Sequence, residues 1–348
     1  MHTSALKLGV FSLTDMSSGA EATDRVRDIV EYGARADALG LDVFGVGEHH
    51  TTRFAVSSPA VVLGGVAART SSITLTSAVS VLSVLDPVRL YQDFAQLDLL
   101  SAGRAEITAG RSAYTEPFGL FGVPVEDYDQ VFEEKLDLLL RLRTPGTVTW
   151  RGRYRPALRD ALVTPWPGRP LPIRVAVGGT PQSAARAARL GLPMTLATLL
   201  GDLSQARPLT ELYRQTAEES GHPNEQLGVG VVTHMYVGPT SQAARDTFYP
   251  HYRSYFADGR GVHLSRAHFD ALAEPDSALM VGSPQEIVDK IMRQRAVLGG
   301  LDRFMGQIDL GGLSRHDVLA SLERFATEVA PVLRRETTQD KHRIKELL

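Results

Sequence analysis

"ALGLDVFGV", Ala38 to Val46, joins the end of an amphipathic segment to a short apolar run through one glycine, and the same joint recurs as "RLGLPMTLA" (189–197) and "VLGGLDRFM" (297–305). Glycine most readily takes the left-handed cap of a helix, so each joint reads as a helix stopping and a strand starting one or two residues later. Outward from these joints, short apolar runs alternate with amphipathic segments. Strands are expected at 6–13, 42–47, 73–81, 104–110, 173–179, 194–200, 228–237 and 303–308. Helices are expected at 22–39, 58–69, 87–100, 126–143, 181–190, about 203–220, 240–256 and within 281–299. Eight alternating units favour a closed (β/α)8 barrel over an open doubly wound sheet. Two stretches interrupt the alternation. Residues 144–172 are rich in Pro, Gly and Arg around a hairpin-like "TVTWRGRY" and read as an excursion over the barrel surface. Residues 257–280 are irregular and polar and read as a lid or a disordered stretch. The expected organisation is one barrel domain over 1–333 and a charged, solvated tail over 334–348.

Composition narrows the function classes. With 43% hydrophobic and 22% charged residues, the 348-residue chain has the make-up of an enzyme-sized globular protein able to bury a large core. The net charge of −3, with acids and bases interspersed, leaves no electrostatic footprint for nucleic acid or an anionic membrane, so a small-molecule partner is expected. The absence of cysteine excludes disulfides, thiolate metal sites, iron–sulfur clusters and cysteine nucleophiles. The start "MHTSALKLGVF" lacks a basic region followed by a long apolar run, and a cytoplasmic location is the expectation. No Gly-x-Gly-x-x-Gly, Walker loop, His-Glu-x-x-His or Gly-x-Ser-x-Gly is present.

In such barrels the reactive groups sit at the carboxyl ends of the strands, and four ends stand out. The first is "FGVGEHH", where Glu48, His49 and His50 follow Gly45 and Gly47. Continued strand alternation puts His49 on the face of the two glycines and His50 with Glu48, so the histidines cannot jointly chelate a metal, and no metal site is expected. The glycines would clear space beneath His49 for something flat, with His49 as proton donor, acceptor or electrophile; the plainer reading has both histidines bonding loop backbone. The second is "ITAGRS", whose Arg111 can fork onto a phosphate or carboxylate or simply form a surface ion pair, with Tyr114 flanking the same cavity or packing. The third is "AVGGTPQSAARAA" (176–188). Gly178 and Gly179 precede Thr180 at the N-cap, Pro181 and then Ser183 in the first turn, an anion site suited to phosphate or a helix start that is merely well capped. The fourth is "TSAVSVLSVLDP" (76–87), a flat apolar wall or an ordinary buried strand. His234, near the end of the seventh strand, and Met305 and Gln307 on the last are further candidates for the barrel interior.

Taken in order, "GLDVFGVGEHH", "SAVSVLSVLDPVRLYQDFAQLDLLSAGRAEITAGRS", "VGGTPQSAARAARLGLP" and "VGSPQEIVDKI…GGLDRFMGQIDLGGL" resemble the bacterial luciferase-like flavin monooxygenases over roughly 1–333. The resemblance implies a (β/α)8 barrel, usually dimeric, that binds reduced FMN, or a deazaflavin in some branches, at the strand carboxyl ends. By position, His49 matches the family's catalytic histidine, with Glu48 and His50 tuning it, and Arg111 matches the arginine that meets the flavin phosphate. Gly178, Gly179, Thr180 and Ser183 match the phosphate segment, Tyr114 a flavin-pocket tyrosine, and the Ala78–Val79 bond a frequent non-proline cis peptide behind the ring. Luciferases proper carry an acidic residue in place of Gly179 and a reactive cysteine where this chain has Gly110, so light emission from long-chain aldehyde is not expected. What the resemblance implies is an FMN-dependent monooxygenase using O2 on a small organic substrate, a homodimer supplied with reduced FMN by a separate flavin reductase. The alternatives are a deazaflavin-dependent hydride transferase and a catalytically silent flavin-binding protein.

Overall fold

The computed structural model describes residues 5–16, 20–198, 203–223 and 227–345. Eight strands, β1 (Lys7–Ser12), β2 (Val43–Val46), β3 (Thr74–Ser77), β4 (Ala105–Gly110), β5 (Ile173–Val177), β6 (Met194–Ala197), β7 (Val229–Val237) and β8 (Arg303–Gln307), pair in parallel in chain order. β8 returns to pair with β1, closing a (β/α)8 barrel. Between the strands run α1 (Ala22–Ala38), α2 (Pro59–Ala67), α3 (Pro87–Leu100), α4 (Tyr128–Arg141), α5 (Pro181–Arg189), α6 (Arg207–Glu219), α7 (Ser241–Arg260) and α8 (Pro284–Val297). α9 (Arg315–Arg324) and α10 (Ala330–Lys345) follow β8. The helix starts are local chemistry. Pro87 opens α3 while the Asp86 carboxylate accepts the Val88 and Arg89 N–H groups, and Pro284 opens α8 with Ser283 Oγ accepting from Glu286. The recurring joints end where glycine takes the left-handed conformation, Gly40 at φ 74° and Gly191 at φ 63°.

Apolar residues form two layers. The larger lies between strands and helices; a smaller one inside the barrel joins Phe11, Val43 and Met305, with Leu13, Ala78 and Val232 packed on it. The rest of the interior is polar. Arg303 forks onto Glu106 at 2.5 and 2.9 Å, and Arg174 onto Asp302 at 2.8 and 2.9 Å, all inside the lower barrel. Burial pushes the Glu106 carboxyl up, but Arg303, helped by Arg174 and the Thr76 hydroxyl, holds the group below its ordinary value. At the upper rim Arg25 Nη2 meets Asp309 Oδ2 at 2.6 Å, and Asp15 accepts the Gly311 N–H at 2.8 Å, tying the loop after β1 to the loop after β8. Burial first, and Asp309 beside it, push Asp15 up to about 7 against the pull of Arg25.

Several expectations need correction. The run 73–81 is not one strand: β3 stops at Ser77, the Ala78–Val79 peptide is cis, and Ser80–Val81 pairs onward with Ala109 and Gly110 of β4. The stretch 257–280 is ordered, with irregular links at 261–265 and 273–279. α7 runs on to Arg260, a helix spans Arg266–Leu272, and Leu264 and Phe269 are buried, because apolar residues spaced among its charges reach the core. The segment from Arg334 is helical to Lys345, and Leu333 and Thr337 at its start are buried against the barrel's helical layer. The 144–172 excursion carries an antiparallel pair, Thr147–Trp150 with Leu158–Leu162. The end of the strand expected at 194–200 lies outside the described residues. Among the described residues no helix is long and apolar enough to cross a membrane.

Candidate active site

A cavity of about 220 Å3 opens at the carboxyl end of the barrel, lined among others by His49, Ala78, Val79, Arg111, Tyr114 and Gly178. β2 delivers His49 to it. The imidazole stacks on Phe54, centroids 3.8 Å apart, and meets Tyr114 edge-on at 5.5 Å. Among the described residues its buried Nε2 has no hydrogen-bond partner. Burial, reinforced by His50 and Arg53, pushes its pKa down to about 3, so the ring is neutral at physiological pH. Such a group is not a standing cation; its neutral ring presents Nε2 to the cavity. His50 turns the other way, with Nε2 2.9 Å from Glu48 Oε1 and its ring edge-on to Phe121. Glu48 Oε2 accepts the Val81 N–H at 3.0 Å. Both carboxylate oxygens are thus committed, and Glu48 ties the strand that carries His49 to the segment that forms the cavity wall.

The expected cleared floor under His49 is corrected. A Cβ at Gly45 would lie 3.0 Å from Phe11 Cβ and 3.1 Å from Ala78 Cβ and Met305 Cε, and one at Gly47 3.1 Å from Leu13 Cδ2. The missing side chains admit neighbouring strands instead of leaving open space. The wall itself is Ala78–Val81, and it leans on β4: a Cβ at Gly110 would lie 2.9 Å from Val79 Cβ. Below, the cavity reaches Thr76, Thr108, Thr195 and the Arg303–Glu106 pair.

The second and third strand ends converge on one cradle. Arg111 Nη2 donates to Ser183 Oγ at 2.7 Å, and Thr180 Oγ1 lies 2.7 Å from the same hydroxyl. Thr180 occupies the N-cap of α5 without a side-chain cap bond, so its hydroxyl serves the cradle rather than the helix. Gly179 sits at φ 114°, and Cβ atoms at Gly178 and Gly179 would meet nothing within 4 Å, leaving backbone open to a ligand. Arg111 also pairs with Asp129 and lies over the Tyr128 ring at 4.8 Å.

The structure therefore gathers His49, Ala78, Val79, Arg111, Tyr114, Gly178, Gly179, Thr180 and Ser183 around one cavity and its mouth, with Glu48 bracing it and His50 behind. Met305 lines the cavity. His234 is buried against Tyr252, Tyr255 and Phe256, and Gln307 is buried beside its register partners Phe11 and His234; neither lines the cavity. Sequence reading misses four residues. Tyr255 of α7 roofs the cavity and bonds to the Tyr114 side chain, burial pushing its phenol upward. Asp129 and Arg186 complete the cradle, and Arg303 forms the floor. For Arg303 a signal exists: an arginine in "RFMGQ" and a glutamate in "AEITAG" are opposite charges within otherwise buried strands. For Arg186 the cue is its helical spacing, three residues after Ser183.

Known proteins resemble this chain in sequence and fold. The luciferase-like monooxygenase family model matches residues 6–309. The alkanal monooxygenase alpha chain of Photorhabdus luminescens is 25% identical over 357 residues, covering 94% of this chain and 98% of its own. The monooxygenase RslO1 of Streptomyces bottropensis superposes with a TM-score of 0.83 at 24% identity, over 94% and 99% of the two chains. The oxygenating constituent of the 3,6-diketocamphane monooxygenase of Pseudomonas putida, solved with FMN, superposes at 0.77 with 19% identity, over 94% and 98%. With most of its length matched by the family model, the chain belongs to the luciferase-like monooxygenase family.

Proposed function

We propose that the protein is an FMN-dependent monooxygenase that receives reduced FMN from a separate flavin reductase and uses O2 on a small organic substrate, as a cytoplasmic homodimer. The observation that carries this reading is the continuity of the site: Arg111 both lines a mostly apolar cavity, shared with a neutral His49 whose Nε2 has no partner among the described residues, and bonds to Ser183 of a two-hydroxyl cradle. Bound reduced FMN would supply the oxygen activation; the protein supplies anchoring, orientation and water exclusion. Arg111, Thr180 and Ser183 would hold the phosphate with Gly178 and Gly179 open beside it, Ala78–Val79 would back the ring, and Tyr114 with Tyr255 would roof it. His49 would accept or pass a proton at Nε2, and Glu48 with His50 would keep wall and histidine in register. Exposed Val61 on α2 and Leu99 and Leu100 at the end of the adjacent α3 support self-association.

The test is an anaerobic titration with reduced FMN and with the reduced deazaflavin, followed by admission of oxygen. Saturable FMN binding and flavin oxidation altered by the protein only after oxygen enters are expected. Failure to bind FMN, or deazaflavin-dependent hydride transfer in the absence of oxygen, would sink the reading.

A further inference from the structure

The cradle holds more charge than one arginine provides. Asp129, on the first turn of α4, is gripped by Arg111 Nη1, and Arg186 Nη2 lies 3.6 Å from the same carboxylate oxygen. Arg186 also holds Glu133 through Nε and Nη2, each at 2.8 Å. Its side chain is only 8% exposed, yet its Nη1 is buried with no hydrogen-bond partner among the described residues. A buried guanidinium N–H with no protein acceptor is costly, and an anion entering beside it would satisfy it. Asp129, in contrast, is 61% exposed and reaches the cradle from outside. Ser183, bonded to Arg111 and to Thr180, is almost fully buried beneath the same point.

We propose that Asp129 is a stand-in for the ligand's phosphate: its carboxylate occupies part of the anion position in the free protein and swings out to solvent when a phosphate monoester enters. Arg186 is then the second phosphate-binding arginine beside Arg111. In the free state the two guanidiniums are balanced by Asp129 and Glu133; with Asp129 displaced, the cradle keeps one net positive charge for an incoming dianion. Displacement is tolerable because the incoming phosphate takes over the two nearly buried guanidiniums while Asp129, 61% exposed, returns to water. Naming FMN as the natural ligand rests on the function proposed above; the phosphate-exchange device does not.

Calorimetric titration of the wild type, Asp129→Asn and Arg186→Gln with inorganic phosphate, FMN and riboflavin decides the matter. Asp129→Asn should tighten phosphate and FMN binding by about fivefold and leave riboflavin unchanged. Arg186→Gln should weaken phosphate and FMN by about tenfold, again without effect on riboflavin, and Arg186→Lys should recover part of the loss if the fold tolerates Gln poorly. If Asp129→Asn binds phosphate and FMN equally or more weakly, Asp129 only steadies Arg111 and the proposal falls. Should phosphate respond as expected while wild-type protein ignores FMN, the exchange device stands and the FMN assignment fails.

Discussion

In the proposed function His49 carries the proton chemistry, and its protonation state follows from where β2 ends. Desolvation, His50 and Arg53 all disfavour the imidazolium, so the folded protein keeps the ring neutral down to about 3 against an ordinary value of 6.5. The unfolded chain binds the extra proton first as pH falls. His49 therefore contributes stability that is complete above about 6.5 and is lost progressively as pH falls toward 3. Comparing urea midpoints of the wild type and His49→Gln at pH 7 and pH 4.5 should show the wild type losing more on acidification; parallel losses would refute a buried neutral histidine. In catalysis, His49→Ala should leave FMN affinity nearly unchanged while turnover drops by roughly 10²- to 10⁴-fold. Steady-state rates beside a flavin titration measure both, and wild-type turnover would remove His49 from the mechanism. The facing of His49 is legible in the sequence because side-chain alternation is local. Its stacking on Phe54 and the double engagement of Glu48 are not legible, since both depend on how the chain folds back after the strand.

Between elements, the wall segment is held from two sides. Glu48 fixes Val81 from β2, and Gly110 of β4 admits the Val79 side chain. A methyl at position 110 has no room unless Val79 moves, so Gly110→Ala should cost about 1–3 kcal/mol and weaken FMN binding. Val79→Ala in the same chain should restore much of both; melting curves and flavin titrations of the single and double variants test this, and strict additivity would argue against the contact. At the rim, Asp15 links the loop after β1 to the loop after β8, and its carboxyl is raised to about 7 from an ordinary 3.8. A raised carboxyl contributes stability below about 3.8 that disappears as pH rises through about 7. Asp15→Asn, which mimics the protonated form, should thus be more stable than the wild type at pH 8, by about 1 kcal/mol or more, and should lose that advantage near pH 4. Chemical denaturation at the two pH values reads the difference.

At the scale of the whole barrel, the interior is an ion-pair floor under a cavity. Glu106 on β4 and Arg303 on β8, 197 residues apart, are nearly fully buried, so removing one charge strands the other. Glu106→Gln should destabilise the protein by about 3–5 kcal/mol, and Glu106→Met with Arg303→Met should recover a large part of that, as urea unfolding would show.

The alternation of strands and helices, the glycine joints and the helix starts were readable from the chain alone because each depends on residues a few positions apart, whose spacing sets which face they share. The same locality made His49, Arg111 and the Thr180–Ser183 turn legible as candidates. Which charges meet was decided only by closure of the barrel. Arg111 lies 72 residues from Ser183, and Arg303 lies 197 from Glu106, separations over which periodicity carries no information. Closure also decided that the room beside Gly45 and Gly47 is taken by Phe11, Leu13 and Met305, that Val79 fits against Gly110, and that Asp129 reaches the anion cradle. Close packing assigns each volume to one occupant, and that assignment exists only once all eight strands are in place.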